Sequence, residues 1–327
     1  MMRAAFVSAE GKVPVLRESD IPVAVGNEHI IRVKAAAISH VVRAKAAGKH
    51  YSSDTSYPFT AGIDGVGLLS DGRRVYFALP RAPHGSLADM TVADPALCVP
   101  VPDEVDDLTA AAIVNPGLSS WMALTERAGL KPGETVLVNG STGTSGRLAV
   151  QIARHLGAGR IIATGRNACA LRDVEALGAD VTIQLDADTR KHEMKFLQAF
   201  REGVDIVIDY LWGPSAEDLL MAAARAGREA FPLRYVQVGS VSAQEITLPG
   251  SVLRASATQI MGSGHGSVPM QRLMDIAGEV LLATVPAGLH IACSPVPFSD
   301  FDQAWLRDDS TCRTVFTMDT GGEGDGN

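Results

Sequence analysis

Cysteine is scarce in this chain of 327 residues, and nothing is arranged as a metal site. The four cysteines, Cys98, Cys169, Cys293 and Cys312, are scattered. No pair has metal-ligand spacing, and no disulfide framework is legible. Reduced thiols in a cytoplasmic setting are therefore expected. No stretch reaches the roughly 18–20 apolar residues that a membrane span needs. The opening MMRAAFVSAEGKVP has no long apolar run, so no signal peptide is expected. An excess of basic charge is also missing. The net charge is −8 with a pI near 5.5, which argues against nucleic acid or an anionic membrane as partner. No basic patch interleaved with aromatics and no local Ser–His–Asp arrangement can be found.

What is present is a globular composition. Hydrophobic residues make up 46% and charged residues 20%, enough for a large core, and the length suggests two domains.

The most informative stretch is 134–167, ETVLVNGSTGTSGRLAVQIARHLGAGRIIATGRN. An apolar strand, Thr135–Val138, runs into Gly140, Gly143 and Gly146. An amphipathic helix and a second apolar strand follow. Glycines allow a tight strand-to-helix turn to bring backbone N–H groups against a pyrophosphate, and the helix N-terminus adds partial positive charge. The motif is informative because of this strand–turn–helix–strand context. The second strand ends in Gly165, Arg166 and Asn167, where an adenosine ribose would lie. An acidic residue there would bind a free 2′-hydroxyl, whereas Arg166 suits a 2′-phosphate. The stretch thus reads as a dinucleotide site with preference for NADP(H).

Residues 1 to about 100 read as short strands with turns, with a helix at Val41–Ala47, and suggest an irregular β-barrel. Helical period appears over 108–127, with a break expected at Pro116–Gly117. Strands expected at 135–139, 160–164, 181–185, 204–209 and 235–239 alternate with helices, including 170–177 closed by Gly178 and 216–226. A late helix near 268–283 and strands near 289–292 and 313–318 complete the pattern.

At this point the chain resembles the medium-chain dehydrogenase/reductase superfamily, in its zinc-free quinone oxidoreductase branch. The resemblance rests on Gly62-Ile63-Asp64-Gly65-Val66-Gly67, Asn115 to Leu124, Leu130 to Val138 with the glycine loop, Gln237 to Ser240, and Arg313 to Phe316. It implies an α/β chain: a GroES-like β-barrel catalytic domain (1–117 and 264–327) plus a doubly wound Rossmann dinucleotide-binding domain (118–263). Zinc-dependent relatives carry a Cys and a His where this chain has Ser39 and Ile63. Neither is a competent zinc ligand beside thiolate or imidazole, and the four-cysteine structural lobe is missing, so no metal is expected.

The resemblance also supplies site residues. Tyr51 aligns with a tyrosine of the nicotinamide cleft, and Ser39 sits where the family often has Asn or Cys beside the nicotinamide. Asp64 reads as a structural carboxylate. Thr144 and Ser145 stand where relatives often have Gly-Val, and their hydroxyls either contact phosphate or cap the helix. Relatives often carry a Lys near the position of Cys169, which puts more weight on Arg166. Tyr210 and Trp212 follow the fourth strand at the ligand edge, packing either on the cofactor or within the loop. Gly239, Ser240 and Val241 end the fifth strand at the same edge.

The activity implied is NADPH-dependent hydride transfer to a quinone or an enone at a site between the domains. Reduction of a 2-enoyl thioester or aldehyde is the enzymatic alternative, and a non-catalytic NADPH-binding protein is the rival from another class. A homodimer is implied, paired through the apolar segment Val252–Met261.

Overall fold

The computed structural model describes residues 1–49, 56–186, 189–227, 229–307 and 310–318. Tyr51 lies outside the described residues. In chain order the elements are β1 (Met2–Val7), β2 (Val15–Ser19), β3 (His29–Ala37), α1 (His40–Ala46), β4 (Phe59–Thr60), β5 (Asp64–Leu68), β6 (Arg74–Ala78), β7 (Met90–Ala93) and β8 (Cys98–Pro100). The long helix α2 (Asp107–Met122) follows. Next come β9 (Thr135–Asn139), α3 (Thr144–His155), β10 (Arg160–Gly165), α4 (Ala168–Ala176), β11 (Val181–Gln184), α5 (Thr189–Glu202), β12 (Ile206–Asp209), α6 (Pro214–Ala226) and β13 (Pro232–Gln237). The chain closes with α7 (Gly250–Arg254), β14 (Ala257–Gly262), α8 (Met270–Thr284), β15 (Cys293–Pro297), α9 (Phe301–Ala304) and β16 (Arg313–Thr317).

Two compact units emerge, Met1–Asn115 with Ala277–Asn327, and Pro116–Ile276. The first holds a three-stranded sheet in the order β2-β1-β4 and a seven-stranded sheet on the path β15-β16-β3-β5-β6-β8, with β7 paired to β3. Its core gathers Ile31, Ile38, Phe77, Leu87, Phe298, Phe301 and Phe316. The terminal strand β16 pairs antiparallel with β3 through Val315, Phe316 and Thr317, which joins the two ends of the chain in one sheet.

The second unit is a six-stranded sheet in the order β11-β10-β9-β12-β13-β14, with every pairing parallel. Strand order reverses between β10-β9 and β12-β13, which makes the ends of β9 and β12 the switch point where ligands of doubly wound sheets bind. The strands are apolar on both faces because helices cover both, and Val136, Leu137, Val138, Ile206, Val207 and Ile208 are fully buried.

The structure corrects three sequence-based expectations. No break occurs at Pro116: α2 runs through it to Met122 and continues as a π-helical stretch, Ala123–Arg127. Ala110 to Val114 and Trp121 to Leu124 are buried, and that packing outweighs the roughly 3 kcal/mol a helical proline costs. The strand expected near 289–292 lies instead at Cys293–Pro297, where Pro295 and Pro297 are tolerated because β15 is an edge strand. The segment Val252–Met261 is not one edge strand. Its first residues belong to α7, and only Ala257–Gly262 pairs, as the edge strand β14.

Candidate active site

The parallel pairing brings the carboxyl ends of β9, β10, β12 and β13 to one edge of the sheet, and with them the turns that follow. After β9 the chain enters the glycine turn with Gly140 at φ +88°, a left-handed conformation that favours glycine. A Cβ there would lie 2.8 Å from Leu211 Cγ. Gly143 is the N-cap of α3, and no side chain caps this helix. Thr144, Ser145 and Gly146 form its first turn. Gly146 is needed for close packing, since a Cβ would approach the Gly140 carbonyl oxygen to 2.3 Å. The turn therefore presents a helix N-terminus whose N-cap residue, a glycine, makes no side-chain cap.

Gly165 ends β10, packed where a Cβ would meet Thr142 Cγ2 at 2.5 Å. Arg166 is exposed, and it joins no ion pair among the described residues. Asn167 is the N-cap of α4, its Oδ1 accepting from the N–H groups of Cys169 (2.9 Å) and Ala170 (3.1 Å).

Tyr210 and Trp212 follow β12. The Tyr210 ring is buried, and its hydroxyl meets Ser120 Oγ at 2.8 Å. Burial pushes its pKa up to about 12, against the lowering effect of hydrogen bonds to Ser120 and Ser119. Trp212 adopts φ +58° and packs edge-on against Tyr235, with ring centroids 6.3 Å apart. Its indole thus belongs to the packing of this unit. Gly239 passes close to Tyr210, whose carbonyl oxygen would stand 2.8 Å from a Cβ. Ser240 is half-buried and Val241 exposed.

A buried polar network beneath this edge escaped sequence reading. Asp209, fully buried at the end of β12, accepts hydrogen bonds from Asn139 Nδ2 (2.8 Å), Leu211 N (2.9 Å) and Tyr235 OH (2.7 Å). Trp212 N also donates to both of its carboxylate oxygens. Burial raises the Asp209 pKa, and these donors oppose the rise. The available signal was a polar residue closing each of two apolar strands, VLVN and IVID.

The other unit holds Ser39, the N-cap of α1, whose Oγ accepts from Val42 N at 3.1 Å. Ile63 is buried in the apolar core. Asp64 is buried and accepts from Tyr76 OH at 2.9 Å. Burial raises its carboxyl to about 6, with the nearby Arg313 charge and the Tyr76 hydrogen bond pulling the other way. Among the described residues no group of three His, Cys, Asp or Glu side chains could hold a metal ion.

Residues 146–278 match the family model described as zinc-binding dehydrogenase. The probable NADPH-dependent quinone reductase tdiC of Emericella nidulans is 34% identical over 311 residues, covering 81% of this chain and 85% of that protein. The chain belongs to the medium-chain dehydrogenase/reductase superfamily, in its quinone oxidoreductase branch. The chain is similar in structure to the quinone oxidoreductase from Thermus thermophilus, solved also in complex with NADPH. The TM-score is 0.79 and the identity 25%, over 97% of this chain and all (100%) of that one. Its similarity to the spectinabilin polyketide synthase system protein NorB of Streptomyces orinoci is of another kind. There 33% identity spans 67% of this chain but only 9% of NorB. Membership gives the chain a general oxidoreductase role. No helix among the described residues is long and apolar enough to cross a membrane.

Proposed function

We propose that this chain is an NADPH-dependent, zinc-independent reductase that delivers hydride to a quinone or to the activated C=C bond of an enone. The observation that carries the reading is the N-terminus of α3, which has no side-chain cap and stands behind a turn whose Gly140 and Gly146 permit no Cβ. Backbone N–H groups of that turn hold the pyrophosphate. Arg166 takes the 2′-phosphate, and Gly239, Ser240 and Val241 approach the nicotinamide end. The Emericella relative, a probable NADPH-dependent quinone reductase, and the Thermus quinone oxidoreductase, solved with NADPH, support the same cofactor and acceptor class.

Bound NADPH supplies the hydride. The protein must hold a donor at the acceptor oxygen, where negative charge builds during attack. Ser39 and Tyr51 are proposed for this. The Ser39 oxygen already accepts from Val42 N, which leaves its own O–H to donate. Solvent or a loop residue returns the proton. Zinc independence is supported by the chemistry at the two aligned positions: Ile63 has no ligating atom, and the Ser39 hydroxyl is engaged as a helix cap. A cytoplasmic homodimer completes the reading, with the edge strand β14 as the place where a second copy extends the sheet.

The test is a titration with NADPH and NADH followed by nicotinamide fluorescence. NADPH oxidation is then measured against quinones, enones, 2-enoyl thioesters and aldehydes. Tight NADPH binding with turnover on quinones or enones is expected. Binding without turnover on any acceptor would make the protein a cofactor binder, and binding of neither nucleotide would remove the reductase reading.

A further inference from the structure

We propose that Asp209 is a positioning residue that fixes the geometry of the Gly140–Gly146 turn from the neighbouring strand. The proposal rests on the cofactor reading above and extends it to a residue that would not touch the cofactor.

The geometry is a chain of buried hydrogen bonds. Gly140 N donates to Thr164 Oγ1 at 3.1 Å, and Thr164 Oγ1 donates to Asn139 Oδ1 at 2.6 Å. Asn139 Nδ2 then donates to Asp209 Oδ1 at 2.8 Å. The first N–H of the turn is thus tied, through two side chains, to a carboxylate on β12. Asn139, Thr164 and Asp209 are all fully buried, so water does not compete for these bonds.

The same carboxylate sets the loop that leans on the turn. It accepts from the N–H groups of Leu211 and Trp212, and the Leu211 side chain stands in the space that a Gly140 Cβ would fill. Trp212 is held in a left-handed conformation that a bulky residue adopts only when its surroundings enforce it. Tyr210, which follows Asp209 in the chain, reaches the far side of the turn. Its hydroxyl meets Ser120 Oγ, whose one hydrogen is shared between the Pro116 carbonyl at 3.0 Å and the Ser145 carbonyl in the first turn of α3 at 3.3 Å. Consecutive residues of β12 and its loop therefore grip the turn at its first glycine and again beyond its second.

Polarity makes the arrangement testable. Asn139 must present its amide N–H to residue 209, and residue 209 must accept. Asp209→Leu removes the acceptor from the Asn139, Leu211 and Trp212 N–H groups, whereas Asp209→Asn can keep its Oδ1 on those three donors and turn its Nδ2 to the Tyr235 oxygen. Two readouts are measured: the dissociation constants for NADPH and NADH by nicotinamide fluorescence, and amide hydrogen exchange of residues 140–146 without nucleotide. Asp209→Leu should weaken both nucleotides roughly tenfold or more, because the pyrophosphate is common to both. It should also speed exchange in the turn. Asp209→Asn, the conservative variant, should recover most of both losses. Thr164→Val, which cuts only the relay to Gly140, should reproduce the faster exchange and covers the case in which Asp209→Leu does not fold. Unchanged affinity and unchanged exchange in folded Asp209→Leu and Thr164→Val would overturn the proposal, as would Asp209→Asn no better than Asp209→Leu. Wild-type protein that binds neither nucleotide would remove the cofactor reading, while the exchange measurement would still decide whether Asp209 orders the turn.

Discussion

The Tyr76 hydroxyl donates to the Asp64 carboxylate at 2.9 Å, and both side chains are buried within the first unit. Burial outweighs that hydrogen bond and the Arg313 charge, so Asp64 titrates near 6 rather than 3.8. The folded protein holds this proton more tightly than the unfolded chain does. The resulting stabilisation is complete below about pH 4 and is lost as the pH rises through about 6. It amounts to up to about 3 kcal/mol. Other carboxylates work in the opposite sense. Glu28, Asp71, Asp106, Glu126 and Glu202 have lowered pKa values, and their contributions fade on acidification. Subtraction against Asp64→Asn removes that background. Urea unfolding of both proteins at several pH values should show the wild type gaining on the variant as the pH falls from about 7 to about 4. A constant difference would mean that Asp64 titrates as an ordinary carboxylate.

Gly146→Ala should damage the turn. Alanine is the better helix former by roughly 1 kcal/mol. Its Cβ, however, would lie 2.3 Å from the Gly140 carbonyl oxygen and 2.6 Å from Ser141 Cα, both backbone atoms that cannot swing away. The clash wins, with a net loss of about 1–3 kcal/mol in thermal or denaturant unfolding and loss of nucleotide binding. Unchanged stability would show that the turn tolerates a shift.

Much of this architecture is legible in the sequence, for a definite physical reason. β9, β10 and β12 are apolar runs bounded by glycine or polar residues, and a buried parallel strand has that pattern. What local pattern cannot show is tertiary context. Burial carries α2 through Pro116, and the edge position of β15 excuses its two prolines. The site divides in the same way. The glycine turn is a local motif and can be read directly, whereas Asp209 acquires its partners from β9 and β13, distant in sequence. Asn167, expected at the ribose, has its side-chain oxygen committed to the α4 cap, a use that the Ser/Asn/Asp preference for caps could have suggested.

Tyr210→Phe separates the two roles open to that residue. The hydroxyl is bonded to Ser120, so its loss should cost about 1 kcal/mol of stability. The Ser120 hydroxyl keeps the Pro116 carbonyl as acceptor, which limits the damage. NADPH affinity should stay within about twofold if the ring only packs, since a change of that size is well under 1 kcal/mol. A large loss of affinity at unchanged stability would mean that the hydroxyl meets the cofactor or holds the turn through Ser120.

Tyr51→Phe should lower turnover by roughly tenfold or more with little change in NADPH affinity, since one donor to a developing oxyanion acts on the transition state. Equal rates for variant and wild type would reduce Tyr51 to packing.

Arg166→Ala bears on the choice of nucleotide. The chain offers few alternatives for a 2′-phosphate at the end of β10. Gly165 has no side chain, and Asn167 Oδ1 accepts from two backbone N–H groups. Arg166 is exposed and outside the ion pairs of the described residues, so its guanidinium is not already spent on a carboxylate. A charge-assisted bond of this kind contributes about 1.5–3 kcal/mol, or roughly tenfold to a hundredfold in affinity. NADH lacks the phosphate and loses nothing by the substitution. Fluorescence titration of Arg166→Ala should therefore show NADPH weakened by at least about tenfold and NADH unchanged within about twofold. Equal weakening of the two would mean that Arg166 supports the ribose or the loop itself, and the preference for NADPH would then have to come from residues beyond β10.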